Sequence, residues 1–560
     1  MKNLRLVAGL VFLFSQDLFA VTGEAIAENN YSSGSEKALP TNVYWGDTHV
    51  HTDISLDAFI GGWGRPPEDA YRFAKGESVK ANNGVDVTIS RPLDFLVIAD
   101  HAANFGVMKG LAEGDSRLLS TSLGQSWAST LKKLFATGES DPEKAVELSG
   151  KLFYGGMLEA EVGSVPFRES TWQSLTELAD KHNDPGKFTA LIGYEWTSLV
   201  YYLHRVVIFK DDASIVGQVL PFSQLDSRDP EKLWAHLNNY EATTGGEVLA
   251  IPHNGNMSRG VMFALETVDG KPLSSDYAKT RNRWEPLMEV TQLKGDSEAH
   301  PSVSPTDVFA DYETFSYGAP VEGSPSEEMK KKLSVIHKKD YIHYDSWVNK
   351  NNAGNEPEWM YQYEYARPGL KLGLQQQAKL GANPFKFGMI GSTDSHTGIS
   401  AADENNFWLK PSDEKAKVLV TAEEYYGSNN AAGYAAVWSE ENTRESLFAA
   451  MKRKEVYAST GPRMTVRFFG GWDYQNEDAF SPDLAKIGYE KGVPMGGDLS
   501  NSPKSKAPQF LIRAVKDPDG ANLDRVQVIK GWHDANGELH EKIYHVALSD
   551  NRKPNWRGKV

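Results

Sequence analysis

From residue 41 onward, short apolar runs alternate with longer segments of helical periodicity, the pattern of a βα-repeating α/β fold. The runs that predict strands are Asn42–Trp45, Asp94–Ala99, Phe188–Tyr194, Val206–Phe209, Val248–Pro252, Leu287–Thr291 and Phe387–Gly391. Several are apolar throughout, as expected of strands covered on both faces. Residues 105–185 and 296–385 exceed what a minimal repeat needs and carry helix-like patterns, such as Gly369 to Leu380 closed by Gly381. They predict helical insertions over the rim of a barrel that occupies residues 41–462. After Thr460-Gly-Pro462 the texture changes. Met464–Phe469, Gln509–Val515, Arg525–Ile529 and Lys542–Val546 read as strands, with turn chemistry at Asp517-Pro-Asp-Gly520 and Asp534-Ala-Asn-Gly537. Residues 463–560 are therefore expected to form a small all-β, sandwich-like domain.

Composition narrows the function classes. A chain of 560 residues with 40% hydrophobic and 11% aromatic residues can build a large core plus additions. A net charge of -16 without a basic run argues against a nucleic-acid partner. An acidic protein still accepts an anionic small molecule where metal ions supply positive charge. The start reads as an export signal over residues 1–27: Lys2 and Arg5, an apolar run from Leu6 to Phe14, and Ala25-Ile-Ala27 as cleavage site. That run is shorter than the ~20 residues of a spanning helix. Residues 28–40 form a polar lead-in, and no cysteine is present. The expected location is periplasmic or secreted, with no membrane span.

The chemistry lies at the strand ends. Asn42–Trp45 is followed by Asp47-Thr-His49-Val-His51, Asp94–Ala99 by Asp100-His101, Phe188–Tyr194 by Glu195, Val248–Pro252 by His253, and Phe387–Gly391 by Asp394-Ser-His396. In a parallel barrel these ends share one face, where active sites are built. Imidazole and carboxylate together suit zinc, manganese, iron or nickel. H-x-H and D-x-H put two ligands on one side of an extended segment. A carboxylate such as Glu195 or Asp394 can bridge two ions roughly 3.5–4 Å apart, which together activate a water near neutral pH. One strand-end histidine means little, but packing alone gives no reason for five strand ends to coincide.

Trp45-Gly-Asp-Thr-His-Val-His-Thr52, Phe95-Leu-Val-Ile-Ala-Asp-His101, Gly193-Tyr-Glu195, Ile251-Pro-His-Asn254 and Gly391-Ser-Thr-Asp-Ser-His396 resemble, in order, the motifs of the PHP (polymerase and histidinol phosphatase) superfamily. The nearer resemblance is to its secreted branch, domain of unknown function 3604, which Gln292-Leu-Lys-Gly-Asp-Ser-Glu298 and Glu455-Val-Tyr-Ala-Ser-Thr-Gly-Pro-Arg463 also resemble. The resemblance implies a distorted (β/α)7, TIM-like barrel with up to three metals acting on phosphoesters. It implies His49, His51, Asp57, His101, Glu195, His204, His253, Asp394 and His396 as ligands, with Glu195 bridging. Asp53 competes with Asp57, and His204 opens an apolar run instead of ending one, so a hairpin must return it to the site. Asp47 and Asp100 are read as partners that orient histidines, with plain loop hydrogen bonding the alternative.

Substrate anchors are sought among Arg65, Arg205, Arg259 and Lys294, each near a motif, and Glu289 and Glu298 are candidate polar contacts. The expected function is a secreted hydrolase using two or three divalent ions (zinc, manganese or iron) on an anionic small molecule. Glu195, Asp394 and His396 would be its catalytic groups, with Asp394 or a nearby histidine moving a proton to the leaving group. Hydrolysis of another ester, sulfate or amide bond, and metal-dependent binding without turnover, are the alternatives.

Overall fold

The computed structural model describes residues 7–8, 39–314, 347, 350–351, 358–408 and 433–553, less positions 82–83, 138–140, 160, 199–201, 404 and 504–505. The export signal and the polar lead-in lie outside the described residues except for Val7–Ala8 and residues 39–40; the former pair with Leu511 and Ile512. Part of the 296–385 segment also lies outside them. Among the described residues no helix is long and apolar enough to cross a membrane.

Nine strands frame the site: β1 (Asn42–Val50), β2 (Phe95–Ile98), β3 (Thr189–Trp196), β4 (His204–Phe209), β5 (Val248–His253), β6 (Leu287–Gln292), β7 (Gly388–Gly391), β8 (Tyr434–Ser439) and β9 (Val456–Ser459). They form a seven-stranded sheet in the order β9-β8-β1-β2-β3-β4-β5, and a second sheet in which β6 pairs with β7. The pairs β1/β2, β2/β3 and β6/β7 are parallel, whereas β4 and β8 run antiparallel to both of their neighbours. The large sheet curls, so that β5 lies beside β6 while β7 lies beside β9. Phe95, Leu191, Val206, Leu249, Leu287, Ile390 and Ala435, one from each of seven strands, share one buried cluster on the inner face. The outer face packs into a second cluster with the surrounding helices. The result is a mixed α/β architecture built on a curled, parallel-rich sheet with additional β-sheets.

The strands approach closely where glycine permits it. A Cβ on Gly193 of β3 would lie 2.5 Å from Val97 Cγ1 and 2.7 Å from the Val207 carbonyl oxygen. Within residues 105–185, helices Ser122–Thr137, Pro142–Tyr154 and Val165–His182 are joined by shorter ones. Trp127, Leu131, Leu152 and Phe167 build a core of their own against Leu56 and Ile60. Helix Ala366–Leu380 ends at Gly381, whose φ of 75° suits a residue without Cβ.

Gln509–Val515 keeps the bounds read from the sequence, and the other C-terminal strands run longer than their apolar cores suggested. Strands β10 (Thr465–Gly471) and β11 (Gln509–Val515) pair antiparallel under helix Leu484–Lys491. Strands β12 (Arg525–His533) and β13 (Leu539–Leu548) form a separate hairpin. That hairpin lies on helix Ala366–Leu380, where Lys371 Nζ is 3.1 Å from Glu541 and Gln375 donates to the Gly537 carbonyl.

Asp517, buried after β11, ties this region to the loop that leads into β2 of the curled sheet. It accepts from both terminal nitrogens of Arg91 at 2.7 and 2.8 Å and from the Arg463 backbone N–H at 2.6 Å. Burial pushes its carboxyl up, but Arg91 and the Arg463 N–H outweigh that and hold it at about 2. A carboxyl depressed by folding contributes stability above its unfolded pKa, and this is lost as pH falls through the folded value. Asp517→Ala is expected to cost about 2–3 kcal/mol at pH 7. In denaturant melts the variant should also lose stability less steeply than the parent between about pH 4 and 2.

Candidate metal centre

Period-two alternation carries the inner-face pattern to the rim and changes its chemistry there. In β3 the sequence Leu191, Gly193, Glu195 keeps one face, and in β5 Leu249, Ile251, His253 does the same. Because β4 runs antiparallel, its first residue sits at the rim where its neighbours end, and His204 pairs in register with His253. The hairpin that His204 required is present. The H-x-H motif lies on β1 itself, or just past its end, and does not follow the shorter run read from the sequence. Trp45 and Val50 both face the outer core, and a β-bulge between Asp47 and Val50 shifts the alternation. His49 and His51 thereby both reach the interior.

Ligand atoms of His49, His51 and Asp394, of His49, Glu195 and His253, and of His51, Asp57, His101 and His396 lie close enough to share an ion, and the contacts among them and His204 fall into three groups. In the first, the Nε2 atoms of His49 and His51 lie 3.2 Å apart. His49 Nε2 is 3.6 Å from Glu195 Oε2 and 3.4 Å from Asp394 Oδ1, and His51 Nε2 is 3.3 and 3.2 Å from the same two oxygens. In the second, Glu195 Oε1 meets His204 Nδ1 at 2.7 Å and His253 Nε2 at 3.1 Å. In the third, Asp57 Oδ2 meets His101 Nε2 at 3.1 Å and His396 Nε2 at 2.9 Å. Glu195 belongs to two groups through different oxygens, and its Oε2 is also 2.9 Å from His101 Nδ1. Apart from Asp57, which is partly exposed, these side chains are buried.

The donor set fits a divalent ion. Ligand atoms ~2.0–2.1 Å from a tetrahedral centre lie about 3.3 Å from one another, close to the separations among His49 Nε2, His51 Nε2 and Asp394 Oδ1. Asp394 Oδ1, His204 Nε2 and His253 Nδ1 are buried and have no hydrogen-bond partner among the described residues. Left uncompensated, such atoms are costly.

Burial would push the three carboxylates up. The histidines around Glu195, His49 and Lys294 beside Asp394, and His101 and His396 beside Asp57 instead hold them well below the usual range. Burial and neighbouring imidazoles lower His51 and His253 to about 3, which keeps the rings neutral with one nitrogen of each free of a proton. His101, facing Glu195 and Asp57, is raised to about 10 against the effect of burial, and His49 is raised well above its ordinary value by Asp394 and Glu289. In the metal-free protein the carboxylates thus favour the protonated form of these two rings.

The surrounding partners are specific. Glu289 on β6 accepts from His49 Nδ1 at 3.2 Å, Ser55 Oγ lies 3.0 Å from His51 Nδ1, and Thr197 Oγ1 contacts His101 Nδ1. Ser55 and Thr197 were not singled out from the sequence, where a hydroxyl near a motif carries no distinguishing signal. Asp47 accepts the His49 backbone N–H and Asp100 accepts from Thr52, so both brace loops and neither touches a histidine ring. Asp53 pairs with Lys109 at 2.7 Å, leaving Asp57 as the aspartate at the cluster.

The candidate anchors separate. Lys294 Nζ contacts Asp394 Oδ2 inside the site. Arg65 is largely buried beside Gly398, with Asp69 4.0 Å away. Arg259 is exposed, and Glu298 pairs with Arg367. Arg205, one residue from His204, faces the opposite side of β4 and is committed to Glu285 at 2.9 Å and the Leu203 carbonyl at 2.8 Å.

Fold and site together define an α/β protein with a buried His/Asp/Glu centre suited to metal ions. The chain belongs to the family called protein of unknown function DUF3604, whose profile matches residues 38–342 and 333–560. No curated protein sequence matches it. Among solved structures it is similar to a two-domain protein from Bacteroides vulgatus ATCC 8482 described as containing a predicted PHP-like metal-dependent phosphoesterase. The identity is 8% over 76% of this chain and 67% of the other, with a TM-score of 0.29, a likeness too distant to carry an activity across.

Proposed function

We propose that this protein is an exported, metal-dependent phosphoesterase of PHP type, in which β1 to β9 supply a distorted barrel and its rim holds the ions. The observation that supports it most is Glu195, one buried carboxylate shared between two clusters of imidazoles. Bound there, divalent ions would supply Lewis acidity and a water acidic enough to attack near neutral pH. The protein's own groups do the rest. His51 and His253 keep their lone pairs available, and Glu289 fixes the His49 ring. Asp394 and His396, 3.5 Å apart, would assist proton transfer to the leaving oxygen. The burial of these groups excludes bulk water, which strengthens each interaction with developing charge.

Metal content by mass spectrometry, combined with a screen of phosphomonoesters, phosphodiesters, sulfates and carboxylic esters, tests the proposal. Roughly two to three ions per chain are expected. Phosphate-ester turnover should disappear on chelation and return when zinc or manganese is added back. Turnover confined to sulfates or carboxylic esters would replace the substrate class. Folded protein that takes up no metal would remove the proposal altogether.

A further inference from the structure

Lys294 is buried, and among the described residues it is the only lysine or arginine paired with a carboxylate of the cluster. Its position is fixed by the backbone. The chain turns back between Gln292 and Gly295, which pair with each other, and Gly295 has a φ of 99°. The Lys294 N–H donates to Gln292 Oε1, and its carbonyl accepts from Asn256 Nδ2 at 3.1 Å. Gln292 in turn donates to Asn254 at 2.7 Å, and Asn254 Nδ2 lies 3.4 Å from His204 Nδ1. The ammonium therefore enters the site from a held turn and ends on Asp394 Oδ2. The other oxygen, Oδ1, faces His49 and His51.

We infer that Lys294 couples metal loading to anion binding, holding Asp394 in the free site and an oxygen of a phosphate group in the loaded one; this rests on the metal-dependent function proposed above. A buried ammonium needs a counter-charge. In the metal-free protein Asp394 provides it. A divalent cation held by His49, His51 and Asp394 Oδ1 claims the same carboxylate, and the ammonium is left beside a neutralised partner. An anionic oxygen arriving at the site restores the balance. The lysine and the metal thus compete for Asp394, yet cooperate in holding a phosphate.

The two effects have opposite signs, which a merely structural lysine would not show. In the full-length protein Lys294→Met is expected to raise the affinity for zinc or manganese by about 3–10-fold, since a competing cation is gone. In the metal-loaded variant the affinity for inorganic phosphate should fall about 10–100-fold. Lys294→Arg should keep phosphate affinity within a few-fold of the parent. Both affinities are read by calorimetric titration, and Lys294→Gln serves in the same titrations where Met does not fold. Metal and phosphate affinities falling together would overturn the inference, as would unchanged phosphate affinity in a variant whose parent binds phosphate. A parent that loads metal but takes up no phosphate overturns it together with the phosphoester proposal.

Discussion

Replacing Glu195 by Gln is expected to strip the centre of metal and abolish turnover while leaving the protein folded. Its two oxygens stand within 3.6 Å of nitrogens from His49, His51, His101, His204 and His253. Gln keeps the shape of the side chain, so the packing at the end of β3 is retained. What it removes is the negative charge that joins two groups of imidazoles, and it offers an amide nitrogen that binds no cation. Loss of an outer hydrogen-bond partner costs ~10–100-fold in metal affinity, and loss of a shared ligand exceeds that. Turnover should fall ~1000-fold or more, because two clusters are affected at once. In the metal-free protein the same change removes one of the two carboxylates, Glu195 and Asp57, that raise the pKa of His101. About 3 kcal/mol of stability should go with it. Metal content, initial rates and chemical denaturation of the variant provide the check. Near-parental metal content would show that Glu195 is only a neighbour of the site.

Much of this centre was legible as sequence because strands write their geometry in period two. The apolar cores of β1 to β7 located the strands, and the polar residues beyond them located the rim. What could not be read was direction and phase. A run such as Val206–Phe209 looks the same in either direction, so the return of His204 to the rim depends on an antiparallel pairing that only tertiary structure decides. The bulge in β1 shifts the phase between Trp45 and Val50 without any local signal. Alternation did contain the information that sends Arg205 away from His204, since adjacent residues of a strand take opposite faces. Its partner Glu285, by contrast, is 80 residues away and visible only in the fold. The resting place of the β12/β13 hairpin on helix Ala366–Leu380 is likewise a long-range contact with no pattern of its own. The choice between Asp53 and Asp57 turned on Lys109, 56 residues further along the chain.

The cost of holding such a centre in place falls partly on residues outside the three clusters, and Asp47 is one of them. It is fully buried on β1. One oxygen accepts the backbone N–H groups of His49 at 3.0 Å and Thr393 at 3.1 Å, and the other accepts the hydroxyls of Thr393 and Ser400. Residues 393–400 carry Asp394 and His396, so one carboxylate pins the loop with two candidate ligands to the strand that leads to two more, His49 and His51. Asp394 adopts a φ of 51°, a left-handed conformation that a non-glycine residue keeps only when its surroundings enforce it. Asp47→Ala leaves two N–H groups and two hydroxyls without their acceptor, each costing ~1–3 kcal/mol. Partial relaxation brings the expected loss to about 4 kcal/mol. Asp47→Asn retains one oxygen for the N–H pair, and the hydroxyls can rotate to meet its amide, so about 1–2 kcal/mol should be lost. Denaturation midpoints measured with and without zinc separate the two parts of this expectation. The Ala variant should lose both intrinsic stability and the added stability that bound metal confers, because the relaxed loop no longer presents Asp394 and His396. The Asn variant should keep most of the metal-dependent increment. If the Ala variant binds metal as well as its parent, the loop is held by other contacts and the bracing role assigned to Asp47 is wrong.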